Sequence, residues 1–243
     1  MPADAPTILA TSGGVVPSDR NRWSVGPLTS HAVDLAGVTG RAPRVCFLAT
    51  ACGDQPSLIA DFYDMAQESG FHGNHLELFP MPNVEDMREH LLSQDVIWVW
   101  GGSAAGLLAM WDLHGVGDLM REAWEAGVVL TGVSAGSICW HRGGTTDSFG
   151  PELRPITNGL GLVPYSNGVH YDSEEQRRPL FQSLIASGEL PAGYATDDGV
   201  GVLYRGTEFV EALTERDGAA AYFVEAGPDG TAIETRLDTS LLR

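Results

Sequence analysis

Residues 130–140 read LTGVSAGSICW. The apolar run VVLTGV is rich in β-branched side chains and has the length of a buried strand; it stops at Ser134, among small residues that can enter a helix without a clash. The reading is a strand, a sharp turn and a helix. Gly132 and Gly136 permit a strained bend and close packing beneath it, so this G-x-S-x-G elbow would lift the Ser134 hydroxyl clear of a sheet. A bland turn of small residues shares much of the pattern, so the surrounding chain has to decide what the serine does.

Around the elbow, strand-like and helical stretches alternate. PTILATSGG, RVCFLATAC, HLELFP, DVIWVWGG and VVLTGVS read as strands, and SLIADFYDMAQESG, VEDMREHLLSQ and GDLMREAWEAG as helices. This predicts an α/β fold with a mostly parallel sheet and helices on both faces, its site outside the carboxyl ends of the strands. The later segment EFVEALTERDGAAAYFVEAG alternates in pattern around a turn-prone RDG, predicting an antiparallel hairpin or meander near the C-terminus. With 243 residues, 43% of them hydrophobic, and no linker or repeat, a single domain over 1–243 is expected.

Composition removes several functions. A formal net charge of −18 disfavours nucleic acid and anionic membranes as partners. No run approaches a membrane span and the N-terminal stretch lacks a basic segment, so a cytoplasmic protein is expected. Cys46, Cys52 and Cys139 have no metal-ligand spacing and read as reduced thiols; no metal and no cofactor is expected. All 14 basic residues are arginine. Without lysine there is no phosphate-loop lysine, no Schiff base and no Ser-Lys dyad, leaving histidine as the base for a nucleophilic Ser134.

Two strand ends matter together. Gly101 and Gly102 end a strand expected beside the elbow strand, and the amides of Gly102 and Ala135 would form an oxyanion hole. Among seven histidines, His141 would sit about 10 Å along the elbow helix and could not reach back. His31 and His90 lie in helical patterns, His114 where a helix gives way to a loop, and His72 and His75 in the loop FHGNH. His170 ends GLGLVPYSNGVHYD, a strand followed by a turn, where a site residue belongs.

The motifs VWGGSAAGLL, GVSAGSICW, GTTDSFG, GLGLVPYSNGVHYD and ATDDGVGV, in that order, resemble the peptidase E or aspartyl dipeptidase family of serine peptidases. The resemblance implies a sheet of the class I glutamine-amidotransferase type with serine in place of the elbow cysteine. It also implies hydrolysis of short peptides with N-terminal aspartate, Ser134 as nucleophile and His170 as base. For the acid, Asp147 and Asp198 both match family positions; Asp198 is preferred because a strand end holds a carboxylate more rigidly than a glycine-rich loop. Asp172 and Asp197 are lesser rivals. An α/β-hydrolase has the same elbow, but only 36 residues separate Ser134 from His170, and a glutaminase would need a cysteine where Cys139 comes five residues too late.

In that mechanism His170 takes the Ser134 proton, an acyl enzyme forms, and water releases it. The expected partner is a short peptide, with a homodimer left open. Arg177 and Arg178 are expected to bind substrate carboxylates. Three departures bear on specificity: Ser103 stands where the family commonly has asparagine, Val169 where it has proline, and Glu174 where some relatives have arginine. Ser103 remains a substrate-binding candidate. A related hydrolase of another amide, such as a β-aspartyl bond, or a catalytically silent binding protein are the competing readings.

Overall fold

The structure is a computed structural model and describes residues 3–243. Its principal sheet has eight strands, in the order Thr239–Leu241, Glu208–Thr214, Val200–Arg205, Thr7–Thr11, Val129–Val133, Val96–Val99, Arg44–Leu48 and His72–His75. The five from Thr7–Thr11 onward run parallel. Val200–Arg205 pairs antiparallel with both of its neighbours.

Strand periodicity explains the layers. Ile97 and Val99 enter one buried cluster with Leu91, Leu107, Trp111 and Met120 of three helices, Met87–Leu92, Ala104–His114 and Val116–Glu125. Val96 and Trp98 face the other way, into a cluster with Ile59, Phe62 and Met65 of the helix Pro56–Ser69. Phe47 and Phe62 stack there at 4.7 Å. The expected α/β architecture, with helices on both faces, is therefore present.

A second sheet has six strands, in the order Ala232–Leu237, Ala221–Ala226, Gly193–Thr196, Ser166–Gly168, Gly144–Thr146 and Arg154–Ile156. The helix Arg177–Ala186 covers it through Phe181, Leu184 and Ile185, packed with Ala195 and Val224. Carboxyl-terminal strand ends from the two sheets converge: Thr11 and Val133 from the first, Gly168 and Thr196 from the second.

Three local readings need correction. The strand expected at HLELFP lies earlier, at His72–His75. Leu76 and Leu78 are buried as a strand pattern would have them, but the Leu78 and Phe79 N–H groups donate to Asp54 Oδ2 rather than to a ladder. RDG does not turn a hairpin: Glu208–Thr214 stays in the first sheet and Ala221–Ala226 enters the second. The crossing is held by Asp197, whose Oδ2 accepts from Ala220 N–H, and by Thr214, whose hydroxyl donates to Arg216 O. Finally, the elbow helix is short, Ala135–Ile138, so His141 lies beyond it rather than on it.

Candidate active site

Ser134 follows Val129–Val133 with φ 57° and ψ −114°, a conformation uncommon for a residue with a side chain. Its N–H donates to Thr11 O at 3.1 Å, fixing the turn against the neighbouring strand. The glycines beneath are sterically required: a Cβ on Gly132 would lie 2.3 Å from Gly136 O, and one on Gly136 would lie 2.1 Å from Val99 O. The result is a half-buried hydroxyl that, among the described residues, makes no hydrogen bond within the protein.

Gly101 flanks this serine: a Cβ there would come 3.7 Å from Ser134 Oγ. Gly102 has φ 134°, and a Cβ on it would meet Ala51 O at 2.6 Å. The loop is clamped by Ser103 N–H donating to Ala51 O at 2.8 Å and by the Cys52 thiol donating to Gly101 O at 3.0 Å. Among the described residues the amides of Gly102 and Ala135 have no protein acceptor, which leaves both donors free for a ligand oxygen.

His170 stands just past the strand Ser166–Gly168, with φ 53°. Its Nδ1 meets Asp198 Oδ1 at 2.6 Å. Donation from Nδ1–H to that carboxylate leaves Nε2 as a free acceptor, the tautomer a general base needs. Asp198 N–H in turn donates to Asp172 Oδ1 at 2.8 Å, and Asp172 is ion-paired with Arg216. Partial burial alone would raise the Asp172 carboxyl, but the Asp198 N–H and Arg216 hold it below its ordinary value.

A further link joins the two sheets under the site. Ser137, on the elbow helix, donates from Oγ to Asn167 Oδ1 at 2.8 Å, and Asn167 Nδ2 donates to Tyr194 O at 3.2 Å. The elbow is thereby tied to the strand that carries His170.

Not every sequence candidate meets this cluster. Asp147 is exposed in its loop, without contact to His170; the loop is pinned by Ser148 Oγ, which accepts from Ala105 N–H at 3.1 Å. Ser103 spends its hydroxyl oxygen as the cap of Ala104–His114, accepting from Gly106 N–H at 3.0 Å. Arg177 and Arg178, expected to bind substrate carboxylates, both have partners within the protein. Arg177 is 2% exposed, paired with Glu174 at 2.7 Å and donating to Thr145 O. Arg178 pairs with Glu234 and lies over the rings of Tyr171 and Tyr222, at 5.1 and 4.7 Å.

His141 is fully buried, bonded through Nδ1 to Ser137 O and through Nε2 to Tyr204 Oη. Burial lowers its pKa to about 4, so it stays neutral as a structural link. Cys139 is also buried, and burial drives its thiol well above the ordinary value. Among the described residues no group of three or more His, Cys, Asp or Glu side chains is placed to hold a metal, and no helix is long and apolar enough to cross a membrane.

Sequence reasoning missed Ser12, Asn167 and Arg216. Ser12 was within reach of the rule that sites lie at carboxyl strand ends, because TSGG ends the first strand.

A serine on a strained strand-to-helix turn, with free amides beside it and a histidine–carboxylate pair on adjoining strand ends, is the arrangement of serine-type hydrolases. The family described as Peptidase family S51 matches residues 8–212, and the chain belongs to it: it is a serine-type peptidase. It is 41% identical over 182 residues to the uncharacterized peptidase YgaJ of Bacillus subtilis (strain 168), covering 75% of this chain and 78% of that one. It is 31% identical over 148 residues to peptidase E of Shewanella denitrificans (strain OS217), covering 60% of this chain and 62% of that one. The fold is also that of a peptidase from an acI-B1 actinobacterium, with TM-score 0.66 and 14% identity over 97% of this chain and 95% of the other. A proposed peptidase E protein from Listeria monocytogenes EGD-e has TM-score 0.58 and 18% identity, over 96% and 100% of the two chains.

Proposed function

We infer that the protein hydrolyses dipeptides or short peptides, with preference for N-terminal aspartate, through an acyl enzyme on Ser134. The observation that carries this reading is the 2.6 Å His170–Asp198 contact, which leaves Nε2 free at the strand ends that also present Ser134. Substrate binding brings Ser134 Oγ and His170 Nε2 into hydrogen-bond contact, a contact that commonly closes only in the Michaelis complex. Nε2 accepts the hydroxyl proton as Oγ attacks the peptide carbonyl, and the amides of Gly102 and Ala135 stabilise the oxyanion. The imidazolium then returns that proton to the departing amine. Water, deprotonated by the same nitrogen, frees the acid and restores Ser134.

A different amide specificity on the same machinery is the second reading. It is favoured by the engagement of Arg177, Arg178 and Ser103 within the protein. One experiment addresses both. Turnover of Asp-Leu, Glu-Leu, Ala-Leu and β-Asp-Leu is measured for the wild type and for Ser134→Ala, with a fluorophosphonate reagent to locate the reactive serine. Ser134→Ala is expected to lose roughly 10⁴- to 10⁶-fold in turnover while staying folded. Full activity in that variant overturns the mechanism; preference for β-Asp-Leu or Ala-Leu overturns only the substrate.

A further inference from the structure

Ser12 follows the first strand directly, is 3% exposed, and no part of the reaction above uses it. Its backbone is locked in place: its N–H donates to Val200 O at 2.8 Å, and its carbonyl accepts from Gly199 N–H at 2.9 Å, next to Asp198. The preceding Thr11 carbonyl holds Ser134 N–H. Its hydroxyl oxygen accepts from His170 N–H at 3.2 Å and lies 2.7 Å from Thr196 Oγ1. Ser12 therefore touches the base directly and the acid loop through its backbone, while its neighbour Thr11 holds the nucleophile turn.

Thr196 completes this group. Thr196 Oγ1, in a residue that is 0% exposed, donates to Gly168 O at 3.4 Å. In the 2.7 Å contact with Ser12 Oγ either hydroxyl can donate, and in both arrangements Ser12 Oγ keeps a lone pair for His170 N–H. Tyr171 N–H donates to Thr196 O at 3.1 Å. The bend from Gly168 to Tyr171 is thus held at three points, with His170 at its centre in a left-handed conformation that a residue with a side chain seldom adopts.

We propose that Ser12, oriented by Thr196, is a positioning residue that holds His170 in this conformation and so aims its Nε2 at Ser134. The proposal rests on the assignment of Ser134 and His170 made above. Removing the hydroxyl leaves the backbone hydrogen bonds of Ser12 intact, so the sheet persists. It frees the His170 amide, and the bend can relax toward an ordinary backbone conformation. A small displacement of the base is enough to slow proton transfer without altering what the substrate touches.

The test compares Ser12→Ala, Thr196→Val and Thr196→Ser with the wild type on the preferred dipeptide, together with the rate of fluorophosphonate labelling. Ser12→Ala is expected to lower kcat roughly 10- to 100-fold with KM nearly unchanged, and to slow labelling of Ser134 in parallel. Thr196→Val should move kcat in the same direction by less, and Thr196→Ser, which keeps the hydroxyl, should restore it. A folded Ser12→Ala with wild-type kcat and labelling rate overturns the proposal, as does a loss confined to KM. If Ser12→Ala fails to fold, the Thr196 pair decides: lower kcat in Val than in Ser supports the proposal, and equal values overturn it. Labelling of the wild type at a residue other than Ser134 shows instead that the underlying assignment has failed, and the proposal falls with it.

Discussion

Three non-glycine residues take a positive φ among those described: Asp54 at 51°, Ser134 at 57° and His170 at 53°. Such conformations cost on the order of 1–3 kcal/mol each and persist where the surroundings over-determine them. The hydrogen bonds from Ser134 N–H to Thr11 O and from His170 N–H to Ser12 Oγ supply that determination. The acid can be tested residue against residue. Asp198→Asn is expected to lower turnover by about 10⁴-fold through the wrong histidine tautomer, while Asp147→Asn costs at most about tenfold; kcat and circular dichroism on both variants check this. His141 gives a prediction in pH. Burial lowers its native value to about 4 from an ordinary 6.5, so it is neutral in the fold and its unfolded form binds a proton first. This contribution is complete above pH 6.5 and is lost as pH falls toward 4, roughly 3 kcal/mol in all. Urea unfolding at several pH values should show that slope in the wild type and its absence in His141→Gln.

At the scale of elements, what could be read from sequence depended on pattern length. Val129–Val133 and Pro56–Ser69 carry enough residues for a period to show, and both are where the pattern placed them. Gly144–Thr146 and Arg154–Ile156 have three residues each, too few for alternation to register, so that edge of the second sheet was illegible. Of Ala104–His114 only the end at His114 was read, because small and apolar residues run around nearly the whole helix and leave little contrast between faces. His170 was legible because a strand end followed by a turn is a short-range feature, whereas the engagement of Arg178 depends on Glu234, 56 residues away. That glutamate joins the helix Arg177–Ala186 to the strand Ala232–Leu237 through Arg178 and Gln182, and accepts from Tyr171 Oη. Burial alone would raise its carboxyl, but these partners hold it below its ordinary value. The stabilisation is therefore complete above about pH 4.5 and is lost as pH falls through the depressed native value. Glu234→Gln should cost about 1–2 kcal/mol at pH 7, with part of the pair's strength screened by solvent, and the gap to the wild type should close in acid; thermal unfolding across that range measures it.

For the whole molecule, the formal charge of −18 sets how an acidic peptide approaches. Long-range repulsion slows encounter, and salt shortens its reach to about 8 Å at physiological ionic strength. Raising salt from about 0.01 M to about 0.15 M is expected to increase kcat/KM for Asp-Asp several-fold and to leave Ala-Leu nearly unchanged; stopped initial-rate assays at fixed pH check it. The order of strands in the first sheet has a consequence in time. Thr7–Thr11 lies between Val129–Val133 and Val200–Arg205, so its two neighbours are translated long after it. During synthesis the first strand leaves the ribosome with both edges unpaired and waits, at about 5–20 residues per second, on the order of ten seconds or more for its last neighbour. Asp198 and the strand that seats its loop arrive together at the end of that interval. A nascent chain therefore carries a serine but no assembled hydrolase, and peptide cleavage begins only once the late strands have closed on the early one.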